Sequence, residues 1–223
     1  MSTIETTYPA PTLADTPAEV DARGLLGQVM GFVAVTVAFA ALGAYLGREL
    51  SGATGLVLFI GAFALIIGLN VAATRGREQL AIGLLFGLGL LLGLAVAPVI
   101  ADYAAADPSA LWQATGATAA FVGALGAYGY ATKRDLSSWG RTLFWALLGL
   151  IVFGLVAIFV SIPGANVIYA VIGLVIFGGF TIYDFNRLRR AGADAAVLIA
   201  ASIFLDIFNV WLLLLSLFSG SGE

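Results

Sequence analysis

Hydropathy divides this chain into seven long apolar runs separated by short polar links. The runs cover residues 25–46, 52–73, 80–101, 110–130, 142–161, 167–185 and 195–218. Each is close to the roughly 20 apolar residues that a helix needs to cross the hydrocarbon layer. Barrel strands would be shorter and would alternate apolar with polar positions, so the pattern predicts an all-α bundle of seven transmembrane helices. The links read RELSG, TRGREQ, DYAAADPS, ATKRDLSSWGR, SIPGAN and NRLRRAGAD, all rich in turn formers. Their shortness makes sequential neighbours antiparallel.

The polar positions add a side to this pattern. The tail and the second, fourth and sixth links hold Arg23; Arg75 and Arg77; Lys133, Arg134 and Arg141; and Arg187, Arg189 and Arg190. The opposite side holds only Arg48. By the positive-inside rule the N-terminus is cytoplasmic and, after an odd number of spans, the C-terminus is outside. The expected location is a prokaryotic cell membrane, crossed several times.

Composition agrees with the pattern: 61% of the 223 residues are hydrophobic and 10% charged, against about 25% charged in soluble domains. The spans leave room for one membrane domain, about 24–220, preceded by an acidic, Pro- and Thr-rich tail over 1–23. The tail has neither the basic nor the apolar segment of a cleaved signal peptide. It is expected to be disordered, the alternative being an amphipathic lead-in over 16–24.

The chain has no Cys and no His, which excludes disulfides, thiol chemistry, imidazole bases and the usual zinc or haem ligands. No cofactor is expected, and a net charge of −3 argues against a nucleic-acid partner. The seventh span has no lysine, so a retinal Schiff base is excluded. Two unusual carboxylates without a substrate pocket do not point to an enzyme.

Glycines at small-xxx-small spacing, such as Gly83 and Gly87 or Gly89 and Gly93, are expected to let helices approach closely in lipid. The chemistry lies elsewhere. Asp206 is the one full charge inside the last span, and a charge at bilayer depth costs roughly 2.5–3.5 kcal/mol even on the lenient insertion scale. Ser202, Asp206, Asn209, Leu213 and Ser216 recur at helical spacing, so the seventh helix carries a polar seam that faces other helices or water. Asp184, near the end of the sixth span, has a plainer account as the i,i+3 partner of Arg187. Should the two aspartates meet, both cannot ionise cheaply in one dry site, and a shared proton would make the pair a histidine-free proton sensor. The same oxygens are hard-cation ligands suited to Ca²⁺. Counted from their common link Asp206 is deeper than Asp184, so a tilt or a longer sixth helix must bring them level. Arg75, ending the second span on the same side, is a candidate competitor for Asp184 and otherwise a simple interfacial anchor.

These stretches resemble the transmembrane Bax inhibitor motif, or Bax inhibitor-1-like, family. The likeness is carried by YDFNRLRR (183–190), by FLDIFNVWLLLLSLFSG (204–220), by the link ATKRDLSSWG (131–140), and by the basic loop and glycine-rich helix over 74–100. It implies a central seventh helix and a Ca²⁺ leak controlled by protonation of an aspartate pair. Transferred by position, the pair is Asp184 and Asp206, and the gating arginine is Arg75. Two departures stand out: Ile203, Phe204 and Leu205 lack the family's tyrosine before the second aspartate, and the second span has no acidic residue.

The leading expectation is therefore a monomeric, pH-sensitive cation leak in contact with lipid, Ca²⁺ and protons. Asp184 and Asp206 would be sensor and metal site, Arg75 the gating partner, Ser202 and Asn209 the supporting seam. The alternatives are a non-conducting regulator bound to a membrane protease or stress-response complex, and a Ca²⁺/H⁺ exchanger.

Overall fold

A computed structural model of the chain describes residues 17–160 and 163–219. The tail expected to be disordered lies outside the described residues up to position 16. Seven α-helices follow: α1 Pro17–Leu46, α2 Gly52–Thr74, α3 Glu78–Ala106, α4 Pro108–Ala131, α5 Trp139–Phe159, α6 Ala165–Leu188 and, after a one-turn 3₁₀ segment at Ala193–Ala195, α7 Ala196–Ser219. The lead-in to the first span is thus helical from Pro17. Proline opens a helix at no cost because the first-turn N–H it lacks would have no partner.

Six of the seven are long and apolar enough to cross a membrane. The remaining one, α4, is uncharged and about 36 Å long at 1.5 Å per residue. Its Ala, Gly and Thr content, rather than its length, lowers its hydropathy. Those small residues suit a helix wedged between two others, and its buried stripe of Ala110, Ala114, Thr118, Val122, Gly126 and Gly129 faces α6 and α7.

The third helix overruns its expected end by five residues. Pro98 sits inside it without stopping it, and the Ala104–Ala106 run continues it to a one-residue turn at Asp107. There the Asp107 carboxylate accepts from the Ser109 and Ala110 amides at 3.1 and 3.4 Å and from the Ser109 hydroxyl, capping α4. The Ser109 hydroxyl, first among these contacts, holds the Asp107 carboxyl below the usual carboxylate range.

In the bundle, α1, α2 and α3 form one group and α4, α5 and α6 another, with α7 packed against both. No residue of α7 is fully exposed over Ala196–Ser219, whereas only Leu150 of α5 is buried. The outer faces of α2 and α5 carry exposed Val57, Ile60, Phe63, Trp145, Ile151 and Leu155, a lipid-facing belt far larger than soluble proteins tolerate. The central seventh helix and the all-α bundle are as the sequence leads one to expect.

The expected glycine contacts divide. A Cβ on Gly89 would lie 2.5 Å from the Thr36 carbonyl oxygen, and one on Gly93 would overlap that of Ala40, so both let α3 press against the backbone of α1. Gly83 has nothing within 4 Å, and Gly87 meets only a leucine methyl at 3.8 Å. These two face loosely packed surroundings, so spacing alone misassigned them.

Two motifs far apart in sequence meet at the end of the bundle that carries the basic loops. Asn186, 3% exposed, donates its side-chain amide to the carbonyls of Gly129, Thr132 and Arg134 at 3.2–3.3 Å. Its own oxygen accepts from Arg190, which also donates to the Arg134 carbonyl and pairs with Asp135 at 2.7 Å. Arg189 adds a bond to the Thr132 carbonyl at 3.0 Å. The α4–α5 link is thereby folded over the end of α6. Asp184, Phe185, Asn186 and Leu188 are all buried at this end, where an open helix end would be wet.

Three variants test this packing by unfolding in detergent. Gly93→Val is expected to destabilise the fold by about 1–3 kcal/mol, the usual effect of overpacking, whereas Gly83→Ala should change it by less than about 0.5 kcal/mol. Asn186→Ala, which strips donors from buried carbonyls, is expected to cost about 1–3 kcal/mol. Denaturant titrations followed by circular dichroism measure all three.

Candidate functional site

Asp206 stands at the midpoint of α7, 5% exposed. Its Oδ2 is buried and, among the described residues, makes no hydrogen bond. A carboxylate oxygen without a partner in a dry bundle is a rare expense, and such groups point to a proton, an ion or a functional strain. The seam residues do not relieve it. Ser202 donates to the Leu198 carbonyl at 3.2 Å and Asn209 to that of Leu205 at 2.7 Å. Short polar side chains in a helix reach the carbonyl one turn back more readily than a neighbour one turn away. The expected support of Asp206 by Ser202 and Asn209 is therefore absent as hydrogen bonding, although all three share the seam.

Asp184, 4% exposed, lies about one turn before the end of α6, while Asp206 is nearly three turns into α7. Even so, the structure brings the two close enough for the charge of Asp184 to act on Asp206. One feature narrows the difference in depth: α6 runs to Leu188, three residues beyond its expected end. Asp184 thus belongs to the interior, not to a wet membrane edge.

The cation whose field reaches Asp184 is Arg187, one turn along α6. It forms no contact ion pair with Asp184 among the described residues; its side chain instead lines a cavity of about 150 Å³ between α2, α3, α6 and α7. Asn70 and Ser202 are the other polar residues there. At about 30 Å³ per water in the liquid, this space suits a few waters.

Arg75 does not reach the aspartates as expected. It is exposed, caps the end of α2 through its backbone, and is followed by Gly76 at φ 68°, which turns the chain away. Asn70, more than one turn earlier, is the α2 residue at the cavity. The sequence reading overlooked it, although it is the single amide within the second span, and polar residues at that depth usually carry a role. Asn186, Arg190 and Asp135 were also overlooked, because only the tertiary fold joins their two links.

As a cation site the pair is sparse. Among the described residues no three acidic side chains come together, whereas a resident Ca²⁺ takes 6–8 oxygens. Two carboxylates suit a passing ion better than a stored one.

A family model described as "Inhibitor of apoptosis-promoting Bax1" matches residues 22–223. The chain is 29% identical over 213 residues to the inner membrane protein YbhL of Escherichia coli, covering 86% of this chain and 90% of that one. An uncharacterised Helicobacter pylori protein is 30% identical over 72% of this chain and 70% of its own length. A Golgi anti-apoptotic protein of vaccinia virus is 34% identical over 75% and 70%, respectively. With its seven-helix membrane fold and a match spanning nearly all of its length, the chain belongs to the Bax inhibitor-1-like family.

Proposed function

We propose that this protein is a pH-sensitive cation leak of the cell membrane, with Ca²⁺ as the transported ion and Asp184 and Asp206 as the proton-controlled gate. The observation that carries this reading is the unpartnered buried oxygen of Asp206, on a helix packed against the one that carries a second buried carboxylate, Asp184. A proton held between the two would satisfy that oxygen and keep the interior closed. Its loss would leave two like charges in a low-dielectric site, which favours separation of α6 from α7 and entry of a cation. Arg187, facing the Asn70–Ser202 cavity, takes the place proposed from sequence for Arg75. It offers Asp184 an alternative countercharge on the cytoplasmic side.

A second reading is a non-conducting membrane regulator. It is favoured by the printed name of the viral relative and by the apolar character of the outer half of the bundle, where Phe204, Ile207 and Phe208 border a groove.

The test is Ca²⁺ flux into dye-loaded liposomes across about pH 5 to 8. Asp206→Asn and Asp184→Asn are each expected to flatten the pH profile and to change flux about tenfold, the effect of about 1.4 kcal/mol on a barrier. Flux that is absent from the native protein at every pH, with Asp206→Asn altering only thermal stability, would establish the regulator instead.

The clamp supplies an internal control. The Ser137 amide, first, and then Arg190 hold the Asp135 carboxyl at about 2, below its ordinary 3.8. Because the folded value is depressed, the associated stability is present above the ordinary value and is lost only as pH falls toward about 2. Arg190→Ala is therefore expected to leave the midpoint of any flux profile between about pH 5 and 8 unchanged, as measured in the same liposomes.

A further inference from the structure

The two three-helix groups do not close over α7 everywhere. Between α1, α3 and α4 a groove of about 1260 Å³ remains, with Phe204, Ile207 and Phe208 of α7 as its floor. Its walls are low because small residues line them, among them Ala44 of α1, Ala101 of α3 and Ala119 of α4. Most of the lining lies toward the end away from the basic loops: the second half of α1, the second half of α3 and the first half of α4. Most of the groove thus lies in the outer leaflet, while Leu26, Met30 and Phe185 carry it inward toward the basic-loop end.

At its outer end stands Arg48, the one basic residue on that side of the membrane. Its guanidinium lies 4.5 Å from the ring centre of Tyr45. Its acidic neighbour, Glu49, is 4.0 Å away and 90% exposed, an arrangement worth little in water. Most of its hydrogen-bonding capacity is therefore free for another acceptor. Tyr45 and Trp211 border the same end, as amphipathic rings do at the headgroup level. The Trp211 indole N–H is already committed to Thr115 at 3.1 Å, leaving Arg48 as the recognition element.

We propose that this groove is a binding site for one outer-leaflet glycerophospholipid, with an acyl chain laid along Phe208 and Ile207 and its phosphate held by Arg48. Charge complementarity selects the headgroup: a guanidinium pairs with phosphate through two parallel hydrogen bonds. An apolar trough beside it, at acyl depth in the same leaflet, selects a lipid over free phosphate. The bound lipid covers half-buried Ile207 of α7, the residue next to Asp206.

The test uses the full-length protein, extracted in mild detergent and supplied with either phosphatidylglycerol or diacylglycerol, with bound lipid counted by native mass spectrometry. The native protein is expected to retain about one phosphatidylglycerol and to prefer it to diacylglycerol. Arg48→Gln should lower that preference roughly tenfold, one charge-assisted contact's worth, while leaving diacylglycerol retention unchanged. Ala101→Phe and Ala119→Phe, which fill the trough from different helices, should each remove both lipids. Circular dichroism and gel filtration identify any variant that has failed to fold, and the second trough variant then decides. No lipid retained by the native protein, or retention and preference unaltered by Arg48→Gln and by a folded trough variant, would overturn the proposal.

Discussion

Enclosure of α7 is the constraint on which the rest of this structure depends. In hydrocarbon, helices satisfy their own backbones, and no hydrophobic force draws one to another. What positions them is close approach and the few polar groups that lipid will not accept. A helix bearing Asp206 at its midpoint can remain in the membrane only if its neighbours shield that carboxylate. The small-residue face of α4 and the Gly89 and Gly93 contacts of α3 make this shielding possible, since bulkier residues would push the surrounding helices outward.

The shielding differs between the two halves of the membrane. On the side of the basic loops it is polar and specific: Asn186, Arg189 and Arg190 tie the α4–α5 link over the end of α6. Asp184 is buried at the same end of the bundle. On the other side the packing is apolar, Phe204 and Phe208 against α2 and α3 and Leu215 against α4, and part of the cover beside α7 is an open groove. A charged pair sealed on one face and bordered by hydrocarbon on the other has its readiest polar outlet through the Arg187, Asn70 and Ser202 cavity. That asymmetry is why protonation of the pair and the packing of α6 on α7 are coupled in the proposed mechanism.

Much of this was legible beforehand. Long apolar runs placed the helices to within a few residues, except where α1 begins at Pro17, ahead of its apolar run, and where Ala104–Ala106 and Asp107 shortened a link that looked like a loop. The seam on α7 and the interior position of Asp206 also followed from spacing. Arg75 was misplaced because counting gives depth but not direction, and the chain turns at Gly76 before the side chain can point inward. Gly83 and Gly93 look alike in a spacing pattern, yet one faces open space and the other a backbone carbonyl.

The sequence by itself determined the helices, their order along the chain and the one carboxylate, Asp206, that cannot be there by accident, because transfer into hydrocarbon depends on each residue's own polarity. Only the tertiary structure decided how groups are arranged: Asp184 and Asp206 both buried on packed helices, Asn186 bonded to a link more than fifty residues earlier, Arg187 rather than Arg75 at the inner cavity, and Arg48 at the mouth of a groove. Those contacts depend on the rotation and stagger of whole helices, which are set by packing against several neighbours at once and leave no local signature along the chain.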